Sequence, residues 1–346
     1  MLRSLLKDST ILQYTNPLQI SILIIFVLSL IVIFFSSISL GSFSFAFQEL
    51  FNGGSDSLDS IVLFEIRIPR VLLAAFVGAS LGLSGASLQG LFRNPLADPG
   101  LIGVSAGAAL GASLIIVLGS DVIPDFIFGT LVLPLSAILG ASLVISLLYI
   151  FTQGFGYQGI TYMLLVGIAV NAFASVGIGI LTYISTDSEL RGLTFWTMGS
   201  FGGSSWQLII PALIIISLAM FWMIPSARKL DLLQLGEPEA YRLGVDVKKL
   251  KFKVIISSAV TVGISVSLSG MIGFVGLVIP HIVRLFGGVN HNYLLPASAL
   301  LGAFLMIIAD MISRVIIQPA ELPVGLITSA IGAPFFLWLI FKIRKS

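Results

Sequence analysis

The chain has 346 residues, of which 57% are hydrophobic and 10% charged, and its mean hydropathy is +1.09. A soluble domain cannot bury that much apolar surface, so an all-α polytopic membrane protein is expected and nucleic acid is not an expected partner. With no cysteine and two histidines, disulfides, thiolate metal sites, thiol nucleophiles and a histidine-rich metal cage are excluded. Neither a metal nor a cofactor is expected, and the net charge of +2 matters less than where the charges sit.

Crossing the hydrocarbon core takes a helix of ~20 apolar residues. The pattern predicts such helices over 17–39, 69–90, 99–118, 131–151, 160–184 and 207–224, then over 254–273, 294–317 and 323–341, with a shorter apolar stretch at 274–287. The first follows Arg3 and Lys7 and reads as an uncleaved signal anchor, because it is too long and has too few small residues at its end to be cleaved. From Asp8 to Ala227 there is no lysine, and Arg228 to Lys253 then packs seven basic residues around Leu235 to Val245. An N-terminus in the cytoplasm puts this island inside after six crossings, and a tenth helix at 274–287 returns Lys342, Arg344 and Lys345 to the same side. Fourteen of the 18 basic residues are then inside, as the positive-inside rule requires.

Four cations are left outside. Arg67 and Arg70 open the second span, Arg191 precedes an aromatic run, and Arg314 ends the ninth. They suit interfacial snorkelling, with Asp310 and Arg314 paired i, i+4, or an outward rim that docks an acidic soluble partner. Gly78 with Gly82, and Gly103 with Gly107 and Gly111, fall at helical spacing, which suits close packing within the subunit or else path-lining or dimer contacts. The proline-bearing loop Arg93 to Gly100 reads as a rigid turn on the inner side. His281, beside Pro280, reads as a structural cap rather than a ligand.

Enzyme chemistry finds little support. Gly82-Leu-Ser-Gly85 resembles the turn of intramembrane serine proteases, yet such pairs are common in packed membrane helices. There is no His-Glu-x-x-His and no Gly-x-x-x-x-Gly-Lys-Ser/Thr, so any ATP is split by another subunit. The alternative of another class, an ion-coupled secondary carrier, needs ionisable groups near the bilayer midplane. Here the acid deep in a late span, Asp310, lies near an outer end beside Arg314.

Five runs occur in order between residues 60 and 341: Arg67-Ile-Pro-Arg-Val-Leu-Leu-Ala74, Gly85 to Ser105 with its Arg-Asn-Pro-Leu-Ala-Asp-Pro-Gly turn, Leu235 to Val245, Gly273 to Arg284, and Glu321-Leu-Pro-Val-Gly325 followed by Gly332-Ala-Pro-Phe335. Together they resemble the FecCD-like permeases of ABC importers for iron-siderophores, haem and vitamin B12. The resemblance implies one permease domain over 1–346 with the type II importer fold and ten transmembrane helices. It also implies a homodimer, a cytoplasmic ATPase dimer and a periplasmic or lipid-anchored substrate-binding protein, in the bacterial cytoplasmic (inner) membrane with both termini inside.

The same resemblance assigns residues. The region 226–250 would hold the coupling helices that sit in the ATPase, with Leu235, Glu237, Glu239 and Arg242 as contacts and Gly236 and Gly244 shaping the turns. Arg67, Arg70 and Arg314 match arginines that pair with glutamates of the binding protein, whereas Arg191 has no such counterpart. The path would run between the fifth and tenth spans. There Asn171 and Ser175, i, i+4 on the fifth, suit a polar cavity or a helix–helix hydrogen bond. Asn94 and Leu96 match an inner gate, and Thr161 and Tyr162 a second gate position, where Tyr162 departs from the family's small residue. For cargo, Tyr183 to Ser200 resembles haem permeases most and vitamin B12 permeases next, and Phe195 with Trp196 suits a planar cargo or an interfacial anchor. The expected function is haem import, or import of a related iron chelate, siderophore or vitamin B12, powered by a separate ATPase.

Overall fold

The computed structural model describes residues 15–39, 58–122, 131–152, 159–317 and 320–345. Helix α1 (Pro17–Ser39) is followed by a lead-in turn and a π-helical turn (Val62–Arg67) that runs into α2 (Ile68–Phe92). Next come a 3-10 turn (Pro99–Ile102), α3 (Val104–Val122), α4 (Val132–Thr152), α5 (Gly159–Ile184), the short α6 (Asp187–Met198) and α7 (Trp206–Met223). The polar interval holds α8 (Ala227–Leu233) and α9 (Glu237–Arg242), and α10 (Val247–Ser269), α11 (Val275–Gly287), α12 (His291–Val315) and α13 (Val324–Lys345) complete the chain. Seven helices are long and apolar enough to cross a membrane, and three shorter apolar ones make ten among the described residues, as expected.

Helix α2 is the hub and is mostly buried, whereas α1, α5 and α7 turn large apolar side chains such as Val32, Phe173 and Phe221 outward. Its closest partner is α12, and glycine explains why. A Cβ at Gly78 would overlap the Gly302 carbonyl, one at Gly302 would overlap the Gly78 carbonyl, and one at Gly82 would overlap the Ser298 carbonyl. Gly107 and Gly111 on α3 meet Gly140 and Ser136 on α4 in the same way, so these glycines serve packing within the subunit. Gly103 departs from the expected stripe: it closes the 3-10 turn at φ 84° and precedes α3. The other side of α2 is tied to α10 by hydroxyl pairs, Ser80 with Ser265 at 2.7 Å and Ser84 with Thr261 at 2.9 Å. Each contributes about 0.6 kcal/mol in a membrane.

Two expected spans differ most from the apolar pattern. Helix α10 spans Val247–Ser269 rather than 254–273, because Lys248, Lys249, Lys251 and Lys253 are polar yet good helix formers and the Asp246 side chain caps the helix at Lys249 N–H (3.0 Å). The expected third span splits at Gly103 into a 3-10 turn and α3. Helix α6 carries a capping box that was readable as Thr186-Asp-Ser-Glu189: Glu189 Oε2 accepts from Thr186 N–H at 2.8 Å, and the threonine hydroxyl oxygen accepts from Glu189 N–H. Leu193 of α6 packs on Val117 of α3 and Leu181 of α5. Arg3 and Lys7 lie outside the described residues, as do the side chains of Thr161, Lys342, Arg344 and Lys345.

Candidate functional site

Polar chemistry gathers at the two ends of the α2–α12 hub. At one end, the last described residues of α1 accept hydrogen bonds from two arginines. Arg67 Nη1 donates to Ile38 O at 2.7 Å and Ser39 O at 3.3 Å, and Arg314 Nη2 donates to Ser37 Oγ at 2.7 Å and Ser37 O at 3.3 Å. Asp310, one turn before Arg314 and fully buried, lies 3.2 Å from Arg314 Nε. It also accepts from Arg70 Nε at 2.9 Å and stands 2.9 Å from Arg70 Nη2. The remaining Nη1 of Arg70 sits 2.9 Å from Glu321, in the connection from α12 to α13.

Among the described residues, Arg70 and Arg314 share Asp310, Arg70 also meets Glu321, and Arg67 and Arg314 rest against the last carbonyls of α1. All three arginines are buried. Interfacial snorkelling and an outward rim are the two readings that the sequence offers for these arginines, and the structure turns their charges inward into one cluster. The Asp310–Arg314 pair was readable from its spacing. The roles of Ser37 and Glu321 were not, since Arg70 and Glu321 are separated by 251 positions.

At the other end, α8 and α9 stand on the hub. Gln234 Nε2 donates to the Gly90 carbonyl in the last turn of α2 (2.8 Å), which the Arg93 N–H reaches only at 3.4 Å. Asp231 Oδ1 accepts from the backbone N–H of His291 at 3.0 Å and lies 2.6 Å from its Nδ1, so a carboxylate meets the positive N-terminal end of α12. His291 is buried, and the sequence reading missed it. Gly236 (φ 116°) and Gly244 (φ 85°) hold the backbone at positive φ, which side-chain-bearing residues rarely adopt, and between them Pro238 opens α9.

Of the expected contacts, Leu235, Glu239 and Arg242 are exposed, together with Tyr241 and Leu243. Glu237 departs from that group. It is buried and bound to Lys251 Nζ at 2.8 Å, so it braces α9 against α10 rather than facing outward. Asp246 at the foot of α10 has its carboxyl held below the usual range by hydrogen bonds from the Lys249 backbone and side chain.

Beside this end lies the Arg93–Gly100 turn. Arg93 caps α2 in the left-handed region at φ 51°, and Asn94 Oδ1 accepts from Leu96 N–H at 2.9 Å, which leaves Leu96 exposed. Asp98 caps the 3-10 turn at Gly100 N–H (2.7 Å), and burial pushes its carboxyl up against the pull of that bond. Asn171 Nδ2 of α5 donates to Gly100 O at 3.3 Å, so the structure places it on the turn. Ser175 is exposed and bonds back to Asn171 O at 2.8 Å, and Tyr162 is on the exposed side of α5. Gln89 links α2 to α11: its Oε1 accepts from Arg284 Nη2 at 2.6 Å, and its Nε2 faces Ala97 O and Gly276 O at 3.3 Å. His281 packs edge-on against Phe335, with ring centres 5.9 Å apart.

The FecCD transport family matches residues 28–342. The chain belongs to this family. It is 43% identical over 319 residues to the hemin transport system permease protein HmuU of Yersinia pestis, covering 91% of this chain and 94% of that one. It is 40% identical over 287 residues to the vitamin B12 import system permease protein BtuC of Citrobacter koseri, covering 82% and 84%. Among solved structures it resembles a metal-chelate type ABC transporter in an inward-facing conformation, with a TM-score of 0.82 and 36% identity over 93% of this chain and 99% of that one. This FecCD protein is thus a multi-pass inner-membrane permease with the fold of its ABC-transporter relatives, and ATP hydrolysis belongs to a separate subunit. Membership implies an ATPase, a substrate-binding protein and dimerisation.

Proposed function

We propose that the chain is the permease of a haem importer, working as a homodimer between a cytoplasmic ATPase dimer and a substrate-binding protein, with both termini in the cytoplasm. The observation that carries the coupling assignment is the α8–α9 island of region 226–250. Its base is anchored by Gln234, Asp231 and the Glu237–Lys251 brace, while Leu235, Glu239, Tyr241, Arg242 and Leu243 are turned out. A rigid stem with a mixed charged and apolar tip suits insertion into a partner's cleft. The Arg67–Arg70–Arg314 cluster lies at the opposite end of the hub, so on this topology it faces the binding protein. Three arginines gathered at one end suit an acidic partner.

ATP binding would draw the two islands together and open the dimer axis outward to receive cargo, and hydrolysis would reset it. Asn94 and Leu96 on the loop, with Thr161 and Tyr162 at the start of α5, would form the inner gate. Asn171, fixed to Gly100, would link that gate to the path along α5, where Ser175 is exposed. Haem is favoured by the similarity to a hemin permease across 91% of the chain. Vitamin B12 is the second reading, on the similarity to the vitamin B12 permeases.

The test is uptake into proteoliposomes that hold the permease and its ATPase, supplied with the binding protein and haem, cobalamin or a ferric siderophore. ATP-dependent entry of haem is expected. Entry of cobalamin alone would transfer the assignment to the second reading, and entry that follows a proton or sodium gradient without ATP would overturn both.

A further inference from the structure

The two carboxylates that bind Arg70 are not equivalent. Asp310 is fully buried and holds Nε and Nη2, whereas Glu321 has a side chain 44% exposed and holds only Nη1. Glu321 lies against the Ser200–Gly203 turn: a Cβ at Gly202 would meet Ser200 Oγ at 3.4 Å and Glu321 Oε2 at 3.8 Å, and one at the next residue, Gly203, would meet nothing within 4 Å. Glu321 also begins the strap that sets α13 in place. Leu322 N–H donates to Ser313 O at 3.1 Å, Val324 N–H donates to Gly199 O at 2.9 Å, and α13 starts at Val324.

We propose that Glu321 is an internal placeholder, which occupies the outer face of Arg70 until a carboxylate of the docked partner replaces it, and that this exchange loosens the strap at the start of α13. The inference rests on the reading of this end as the docking surface. Arg70 stays clamped by Asp310 throughout, so only the half-exposed pair changes hands. The pair is open to water only at its Glu321 end, which weakens it there, so that one carboxylate can replace another. With Glu321 displaced, Arg70 Nη1 loses its carboxylate, and the partner's carboxylate then takes that place. Docking is thereby converted into a change at a helix that reaches the other side of the bundle.

The experiment uses the full permease with its ATPase in nanodiscs and the cargo-free binding protein of the same importer, titrated at low and high salt. Glu321→Gln keeps size and removes the competing charge, and Glu321→Asp keeps charge but shortens its reach. Docking should tighten about two- to fivefold in Glu321→Gln, the range an exposed pair supports, and by less in Glu321→Asp. In the wild type, hydrogen exchange at the Leu322 and Val324 amides should quicken when the binding protein is added. Salt-sensitive docking that either variant leaves unchanged or weakens would overturn the placeholder and leave the docking surface standing. Docking that is indifferent to salt and to both substitutions would remove the docking reading itself. If Glu321→Gln does not fold, the Glu321→Asp titration and the wild-type exchange rates decide the matter.

Discussion

The two ends of the α2–α12 hub solve opposite problems with the same kinds of residue. At the Arg70–Asp310–Arg314 end the charges are turned inward and satisfied by one another and by the last carbonyls of α1. At the α8–α9 end the internal charges, Asp231 and the Glu237–Lys251 pair, act as braces, while Glu239, Arg242 and three large apolar side chains are turned out. Charge content alone does not tell a locked surface from a presented one. What separates them is whether a helix terminus or an opposite charge lies within reach to absorb each group.

The sharpest way to break the comparison is to remove the keystone of the locked end. Asp310→Asn leaves two buried guanidiniums without their shared carboxylate and should cost about 3–5 kcal/mol, the usual result of breaking a buried ion pair from one side. Most of the folded protein should be lost on thermal unfolding in detergent. Asp310→Leu combined with Arg314→Met should do less damage than Asp310→Asn, because both members of one pair then leave together. If Asp310→Asn unfolds like the wild type, the cluster is not what holds that end.

The second effect concerns the waist between the ends. Gly302→Ala drives a methyl into the Gly78 carbonyl, so α2 and α12 must move apart, at about 1–3 kcal/mol for an overpacked contact. An unfolding temperature equal to the wild type's would mean that the hub tolerates separation.

A third, smaller effect on stability separates tip from brace at the presented end. Glu239→Lys with Arg242→Glu should leave stability within about 0.5 kcal/mol, as exposed substitutions do. ATP-driven uptake should nonetheless fall about tenfold or more, since a like-charge mismatch in an interface easily costs the 1.4 kcal/mol that a factor of ten represents. Glu237→Gln should instead lower the unfolding temperature, at about 1–3 kcal/mol for a half-buried lysine left without its charged partner. Full uptake by the double variant would refute the coupling assignment.

Much of this was legible in the sequence, because apolar length is a direct physical requirement of crossing a membrane. Nine of the spans follow from it and the tenth, at 274–287, from the parity that returns the C-terminal cations to the inside, while the Gly78–Gly82 and Asp310–Arg314 pairs follow from helical spacing. What was not legible depended on distant partners. Arg67 and Arg314 look like an exposed rim until α1 is seen to end beside them, and Glu237 looks like a contact until Lys251 is found beneath it. The early start of α10 was hidden because its lysines lower the hydropathy without lowering helix propensity. His291 gave no signal, since its role is set by Asp231 on another helix.

The finest distinction between two local environments is readable in pH, near the presented end. Asp246 and Asp98 are both capping carboxylates, yet their surroundings push them in opposite directions. Asp246 is held low by hydrogen bonds from Lys249, so its contribution is present above the ordinary carboxylate value of about 3.9 and is lost as pH falls through its lower folded value. Asp98 is pushed up by burial, so its contribution is complete below about 3.9 and is lost as pH rises through its higher folded value. Asparagine caps about as well as aspartate without titrating. In unfolding temperatures measured from about pH 3 to about pH 7, Asp246→Asn should therefore flatten the acid limb of the curve, and Asp98→Asn should remove a decline on the other side of 3.9. If both substitutions changed the same limb in the same sense, the loop around Asp98 would have to be as open to water as the foot of α10, and the Asn94–Gly100 turn would lose its standing as a rigid element beside the gate.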